Sequence, residues 1–246
     1  DSIGIQAHVN TEVKMAGYLS PNMPKVDVYF KTDTFQYVLP MGTFRNMVAE
    51  GMYTNQSDTT QVPSVINAGI KVPGMKGFFE TIPIRLDLDV KNFRSPRAKI
   101  KASLKADSTN LGGLLDASRY DFPNGKITVD LGFEGSLKNF YNAKSDSFDG
   151  KLGGVIKLSH VALNDKTKKI HLSKINGKVV FDEKAFVFED LRLSDGQNNL
   201  FLKGKVVDLV PYLLGSTKPL RALVNVNIPH WKLNWLESLF EQRKTA

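Results

Sequence analysis

The chain has 246 residues, with 33 Lys and Arg against 25 Asp and Glu for a net charge of +8, 41% hydrophobic residues and no Cys. A chain of this length buries roughly 70–75% of its unfolded surface without a disulfide or structural metal, and the absence of Cys excludes thiolate zinc sites, iron–sulfur clusters and cysteine nucleophiles. Both signs of charge are interspersed along the chain, which indicates no nucleic-acid partner, and no run of about 18 apolar residues marks a transmembrane helix.

The chain opens without Met in an alternating segment, Ile3, Ile5, Ala7 and Val9. That pattern reads as the interior of a strand, and we expect a segment of a longer protein, with any anchor or targeting signal outside it. Val26, Val28 and Phe30 alternate next. From Val26 to Pro40 the sequence predicts a strand, a polar break and a short amphipathic helix, a pattern repeated from Ala102 to Asp116 and from Ala222 to Ser238, and in part from Lys205 to Leu214. Polar, Pro and Gly residues from Tyr53 to Gly77 predict an irregular loop or a boundary. A single elongated β domain over 1–246 would then divide into 1–95 and 96–246.

Ile82, Ile84, Leu86, Leu88 and Val90 alternate with Pro83, Arg85, Asp87 and Asp89, giving a strand with one apolar and one charged face. Lys99, Lys101 and Lys105 stand opposite Ile100, Ala102 and Leu104. They form either a solvated or protected sheet face or a contact for anionic lipid headgroups, each Lys contributing about 1 kcal/mol near such a surface. Ile127, Val129, Leu131 and Phe133 repeat the alternation, as do Val224, Val226 and Ile228. Gly-Lys recurs at Gly125, Gly150, Gly177 and Gly204, at intervals of 25, 27 and 27 residues, with a degenerate copy at Ala98-Lys99-Ile100. Such a pitch fits one long hairpin per repeat. Turns are expected at Pro123-Asn124-Gly125, Asp149-Gly150, Asn176-Gly177 and Asp195-Gly196. The fold class that follows is mainly β: repeated antiparallel hairpins forming a curved half-barrel or groove, with a few short helices.

One stretch carries a family resemblance. Gly177-Lys-Val-Val-Phe181, Phe188 to Leu193, Asp195-Gly196, Leu200 to Gly204 and then Val207 to Leu214 form a strand with Gly, a second strand, an Asp-Gly turn, a strand ending in Gly and a leucine-rich segment. This order resembles the C-terminal region of AsmA-like proteins, and Leu233 to Leu239 resembles that family's recurrent leucine-rich ending. The likeness is strongest over about 120–246. It implies a periplasmic or envelope protein tethered to the inner membrane by a segment missing from this chain. It also implies kinship with bridge-like lipid-transfer and outer-membrane biogenesis proteins, whose curved sheets carry acyl chains.

The candidate site is therefore an apolar sheet face, with Ile127, Val129, Leu131, Phe133, Phe186, Phe188, Leu200, Leu202, Val224 and Val226 as possible lining for phospholipid or another acyl lipid. The same alternation fits a filled core in a structural or protein-binding β module. Trp231, Trp235, Leu239 and Phe240 share one side of an expected helix, as a lid on the sheet or as a membrane contact. No cofactor is indicated. The four His residues lack metal-ligand spacing, although His160 and His171 could face each other across a hairpin, and neither a phosphate loop nor a Gly-x-Ser-x-Gly elbow is present. No enzymatic activity is expected.

Overall fold

The computed structural model describes residues 5–16, 23–39, 42–113, 118–141, 148–168, 170–209 and 219–229. Its strands are β1 (Ile5–Ala16), β2 (Lys25–Leu39), β3 (Gly42–Val48), β4 (Glu50–Thr54), β5 (Gly69–Phe79), β6 (Ile82–Lys91) and β7 (Arg97–Asp107). They continue with β8 (Tyr120–Asp121), β9 (Lys126–Ser136), β10 (Gly150–Asp165), β11 (Ile170–Asp182), β12 (Ala185–Ser194), β13 (Asn199–Val207) and β14 (Arg221–Asn227). The described helical turns are a 3-10 turn at Leu111–Gly113 and α1 (Lys138–Tyr141).

All strands join one antiparallel sheet in the order β1-β2-β3-β5-β6-β7-β9-β10-β11-β12-β13-β14, with β4 between β2 and β5 and β8 beside β10. β3 and β4 act as one broken strand. At the break, the Ala49 N–H donates to the Thr32 hydroxyl (2.8 Å) and the Thr32 N–H donates to the Ala49 carbonyl (2.8 Å), so both buried backbone groups are satisfied. At ordinary strand spacing the twelve positions extend roughly 50 Å across the sheet.

Several strands are bent by bulges, and side chains from the neighbouring strand stabilise two of these. In β5 the register shifts between Val72 and Met75, where Gly74 takes φ 64° and donates its N–H to Asp87 Oδ1 (2.6 Å). In β10 it shifts between Leu158 and Val161, where His160 takes φ 52° and donates its N–H to Asn176 Oδ1 (2.8 Å). Such bulges bend a strand and raise its twist. The bend gives the sheet a sheltered and an open side: Val179 on one face of β11 is half-buried, while its neighbour Val180 on the other is 45% exposed.

Four local expectations change. Val26 to Pro40 does not turn into a helix within its described part: β2 runs on to Leu39 and absorbs the polar break as a bulge near Thr32–Phe35, where the pairings to β1 and β3 shift. The Tyr53–Gly77 stretch is strand at both ends, with a loop only over 55–68, and the sheet passes through it. Gly-Lys does not mark one hairpin per copy. Gly125 and Gly150 stand at strand starts, whereas Gly177 and Gly204 lie inside β11 and β13. Asn176-Gly177 is accordingly a bulge and not a turn, while Asp195-Gly196 does join β12 to β13. Finally, His160 and His171 do not face each other, because His171 pairs with Asn164 and His160 sits opposite Asn176.

Candidate functional site: the concave face

Paired residues in an antiparallel sheet point to the same face, so the registers assign every side chain a side. One row runs Ile84, Leu104, Val129, Ile156, Val179, Phe188, Gly204 and Val224 from β6 to β14 without a polar residue. Beside it runs Leu86, Ala102, Leu131, Gly154, Phe181, Phe186, Val206 and Ala222. Ile127, Phe133, Leu200, Leu202 and Val226 fall on the same face by the same pairings. All ten residues chosen from alternation are thus brought to one surface. The sheltered side is theirs.

Over β5 to β10 this surface is closed at both strand ends and, among the described residues, uncovered between them. At one end Leu111 of the 3-10 turn is buried with Ile82 and Ala106, and Phe122, Leu104 and Ile127 pack against that cluster. At the other, Val90, Ala98 and Phe133 are buried, with Leu137, Phe148 and Leu152 against them and Phe148 edge-on to Phe133 at 5.9 Å. Between the clusters Leu131, Val129, Ile156 and Val179 are half-buried, and no second layer of secondary structure lies over them among the described residues. Phe181 and Phe186 stack at 4.7 Å, and a Cβ on Gly154 would come within 2.5 Å of the Phe181 ring. Glycine there lets the aromatic pair lie down on the floor. At β14 the face opens, with Val224 and Val226 42% and 54% exposed.

The convex face is polar from β6 to β9 and carries the exposed Val180 and Val187 farther along the sheet. Lys71, Asp89, Lys99, Glu134 and Lys151 form a cross-strand row of alternating sign, in which Lys99 pairs with Glu134 (3.6 Å) and Lys71 with Asp89 (3.9 Å). Exposed pairs of this kind contribute little stability, but they keep the face wet. Lys101 stands opposite Asp87, and Lys105 shares a row with Thr128, Lys157 and Lys178. Lys99, Lys101 and Lys105 therefore lie on the side of the sheet away from the apolar rows. A cavity of about 480 Å³ involves Lys99, Lys101, Glu134, Lys151 and Glu183. It offers both signs of charge within one shallow dent and selects no ligand charge.

Trp231, Trp235, Leu239 and Phe240 lie outside the described residues. Among the described residues, no group of three His, Asp or Glu side chains forms a metal site, and no helix is long and apolar enough to cross a membrane. Sequence reasoning missed the lining from β6, β7, β10 and β11, above all Leu104, Ile156, Val179 and Phe181. The signal was present in the alternation of Leu152, Ile156 and Leu158, but Gly153-Gly154 interrupts it. Comparison with protein-family models, with curated proteins and with solved structures finds no match to this chain.

Proposed function

We propose that the concave face is a trough for acyl chains and that the protein is a non-catalytic, lipid-handling component of a cell envelope. The observation that carries this reading is the unbroken apolar row from Ile84 to Val224, on the sheltered face of a sheet over which the described residues place no second layer. Eight strands span roughly 35 Å. One leaflet's acyl chains occupy about 15 Å, half of a bilayer's hydrocarbon core, so the trough is long enough for a chain lying along it. Each methylene removed from water contributes about 0.8 kcal/mol, so binding needs no charged contact at the trough floor. The resemblance of residues 177–214 to AsmA-like proteins supports the same reading, and with it a periplasmic or envelope setting and a membrane tether outside this chain.

The test is titration with a fluorescent fatty acid. The intact chain takes up the probe saturably; Leu131→Asp, folded by circular dichroism, loses the uptake, and Lys99→Glu on the convex face keeps it. Absence of saturable uptake by the intact chain, or equal uptake by Leu131→Asp, overturns the proposal in favour of a sheet face filled by its own side chains.

A further inference from the structure

The loop between β4 and β5 has a construction that the trough does not use. Its polar groups are turned onto the loop itself. Asn67, 6% exposed, accepts the Asp58 N–H (2.8 Å) and donates to the carbonyls of Asp58 (2.9 Å) and Val62 (3.2 Å). Asn55, 3% exposed, accepts the Val26 N–H (2.9 Å) and donates to the Pro24 carbonyl (2.9 Å), which ties the loop to β2. The Asp58 carboxylate accepts the Thr60 N–H (2.9 Å) and hydroxyl (2.7 Å) and the Gln61 amide (3.0 Å).

Ser57 to Gln61 form an exposed polar shoulder of the loop, and beside it the loop turns three apolar side chains outward: Val62, Val65 and Ile66 are 67%, 53% and 52% exposed. Phe93, in the neighbouring turn and 37% exposed, donates its N–H to the Val65 carbonyl (3.1 Å) and stacks on Tyr53 at 5.7 Å. Lys91 and Arg94 flank it and are exposed, and Arg94 has no ion-pair partner among the described residues. The patch lies at the end of the strands that carries the Phe133–Phe148 cluster.

We propose that this loop is a docking tip that seats one end of the trough on an anionic phospholipid bilayer. Val62, Val65 and Ile66 enter the interface, and Arg94 and Lys91 meet the headgroups. Two features favour a bilayer. Asn67 and Asp58 spend their polar groups inside the loop and Asn55 spends its own on the tie to β2, so seating the Val62, Val65 and Ile66 side chains in a poorly hydrated layer leaves these groups paired, with Ser57 to Gln61 at the headgroup level. Its charge is basic on balance, since Lys91 and Arg94 outnumber the loop's one carboxylate, the exposed Asp58, and each basic residue left unopposed near an anionic surface adds about 1 kcal/mol. The purpose of the tip rests on the lipid-handling reading, but its binding is read separately.

Because the chain has no Cys, a Val62→Cys variant can be labelled at a single site with an environment-sensitive fluorophore. Vesicles of phosphatidylcholine with phosphatidylglycerol shift its emission to the blue, phosphatidylcholine alone shifts it less, and the same label at Val180→Cys on the convex face does not shift. In vesicle sedimentation, the double variant Val65→Asp, Ile66→Asp binds at least about tenfold more weakly and Arg94→Glu about fivefold more weakly at low salt, with circular dichroism and acyl-probe uptake unchanged. Vesicle binding by a chain that takes up no acyl probe supports the tip and refutes the trough. No shift at position 62, or unchanged sedimentation of the variants, overturns the tip. Concentration-dependent self-association abolished by the same variants overturns it too, since the patch would then be an interface between copies.

Discussion

Phe133 and Leu131 stand two residues apart on β9 and point to the same face, yet replacing each by Ala is expected to have very different costs. Phe133 is 3% exposed, enclosed by Val90, Ala98, Leu137 and Phe148, and its removal leaves a cavity that this end cluster cannot fill. Phe→Ala in such a setting costs about 3–5 kcal/mol. Leu131 is half-buried between Ala102 and Gly154, its two small cross-strand neighbours, and lies in the uncovered stretch. Truncating it opens no closed cavity, so only transfer is lost. Three methylene-sized groups at half burial amount to about 1 kcal/mol. Urea denaturation followed by far-ultraviolet circular dichroism measures both variants, provided their m-values match. A gap of at least about 2 kcal/mol is the expected result. If Leu131→Ala costs as much as Phe133→Ala, the middle of the face is a filled core and the reasoning that separates end clusters from trough is wrong.

Further outcomes follow from the bulges and turns. Asp165 accepts the backbone N–H groups of Lys168 (2.9 Å) and Thr167 (3.0 Å) and pairs with Arg119 (3.4 Å). The Lys168 N–H, with the Arg119 guanidinium adding to it and burial opposing, holds this carboxyl below its usual range. A depressed folded pKa contributes stability that is fully present above the ordinary value of about 3.9 and lost as pH falls through the lowered one. The thermal midpoint therefore drops on acidification below about pH 4, and Asp165→Asn, less stable at neutral pH, shows a shallower drop; equal acid sensitivity would rule out this role. His160→Gly keeps the N–H bond to Asn176 while relieving a left-handed backbone at φ 52°, so the chain is unchanged or stabilised by up to about 1 kcal/mol. Gly74→Ala, at φ 64° in the corresponding bulge, is destabilised by about 1 kcal/mol. Urea midpoints of equal sign for these two variants would contradict the strain argument.

The strands were legible because a side-chain period of two is a local property. Ile82 to Val90 and Ile127 to Phe133 each announce a half-buried strand without knowledge of any neighbour. That the two rows meet on one surface depends on register, and register is set by bulges that alternation does not reveal. His160, a non-glycine residue with positive φ, carries no local signal of the shift it produces; Asn176, its partner, lies 16 residues away. The Gly-Lys spacing misled for a related reason. Gly177 answers a bulge and Gly204 the close approach of β14, where a Cβ would meet Val224 at 2.9 Å, so similar dipeptides serve different constraints. Lys99 read correctly as opposite Ile100, but its pairing with Glu134 is a contact 35 residues distant. The internally bonded loop at 55–68 was hidden because Asn55, Asp58 and Asn67 look like ordinary loop polarity until their bonds are seen.

The central claim is that acyl chains occupy the concave face. Native mass spectrometry of the chain after gentle purification from an envelope-containing host tests it most directly. The account predicts bound phospholipid or fatty acid on the intact chain, lost in a folded Val129→Asp variant and retained in a folded Lys101→Glu variant. A chain that carries no lipid and acquires none on incubation with phospholipid contradicts the account, as does lipid that survives Val129→Asp undiminished.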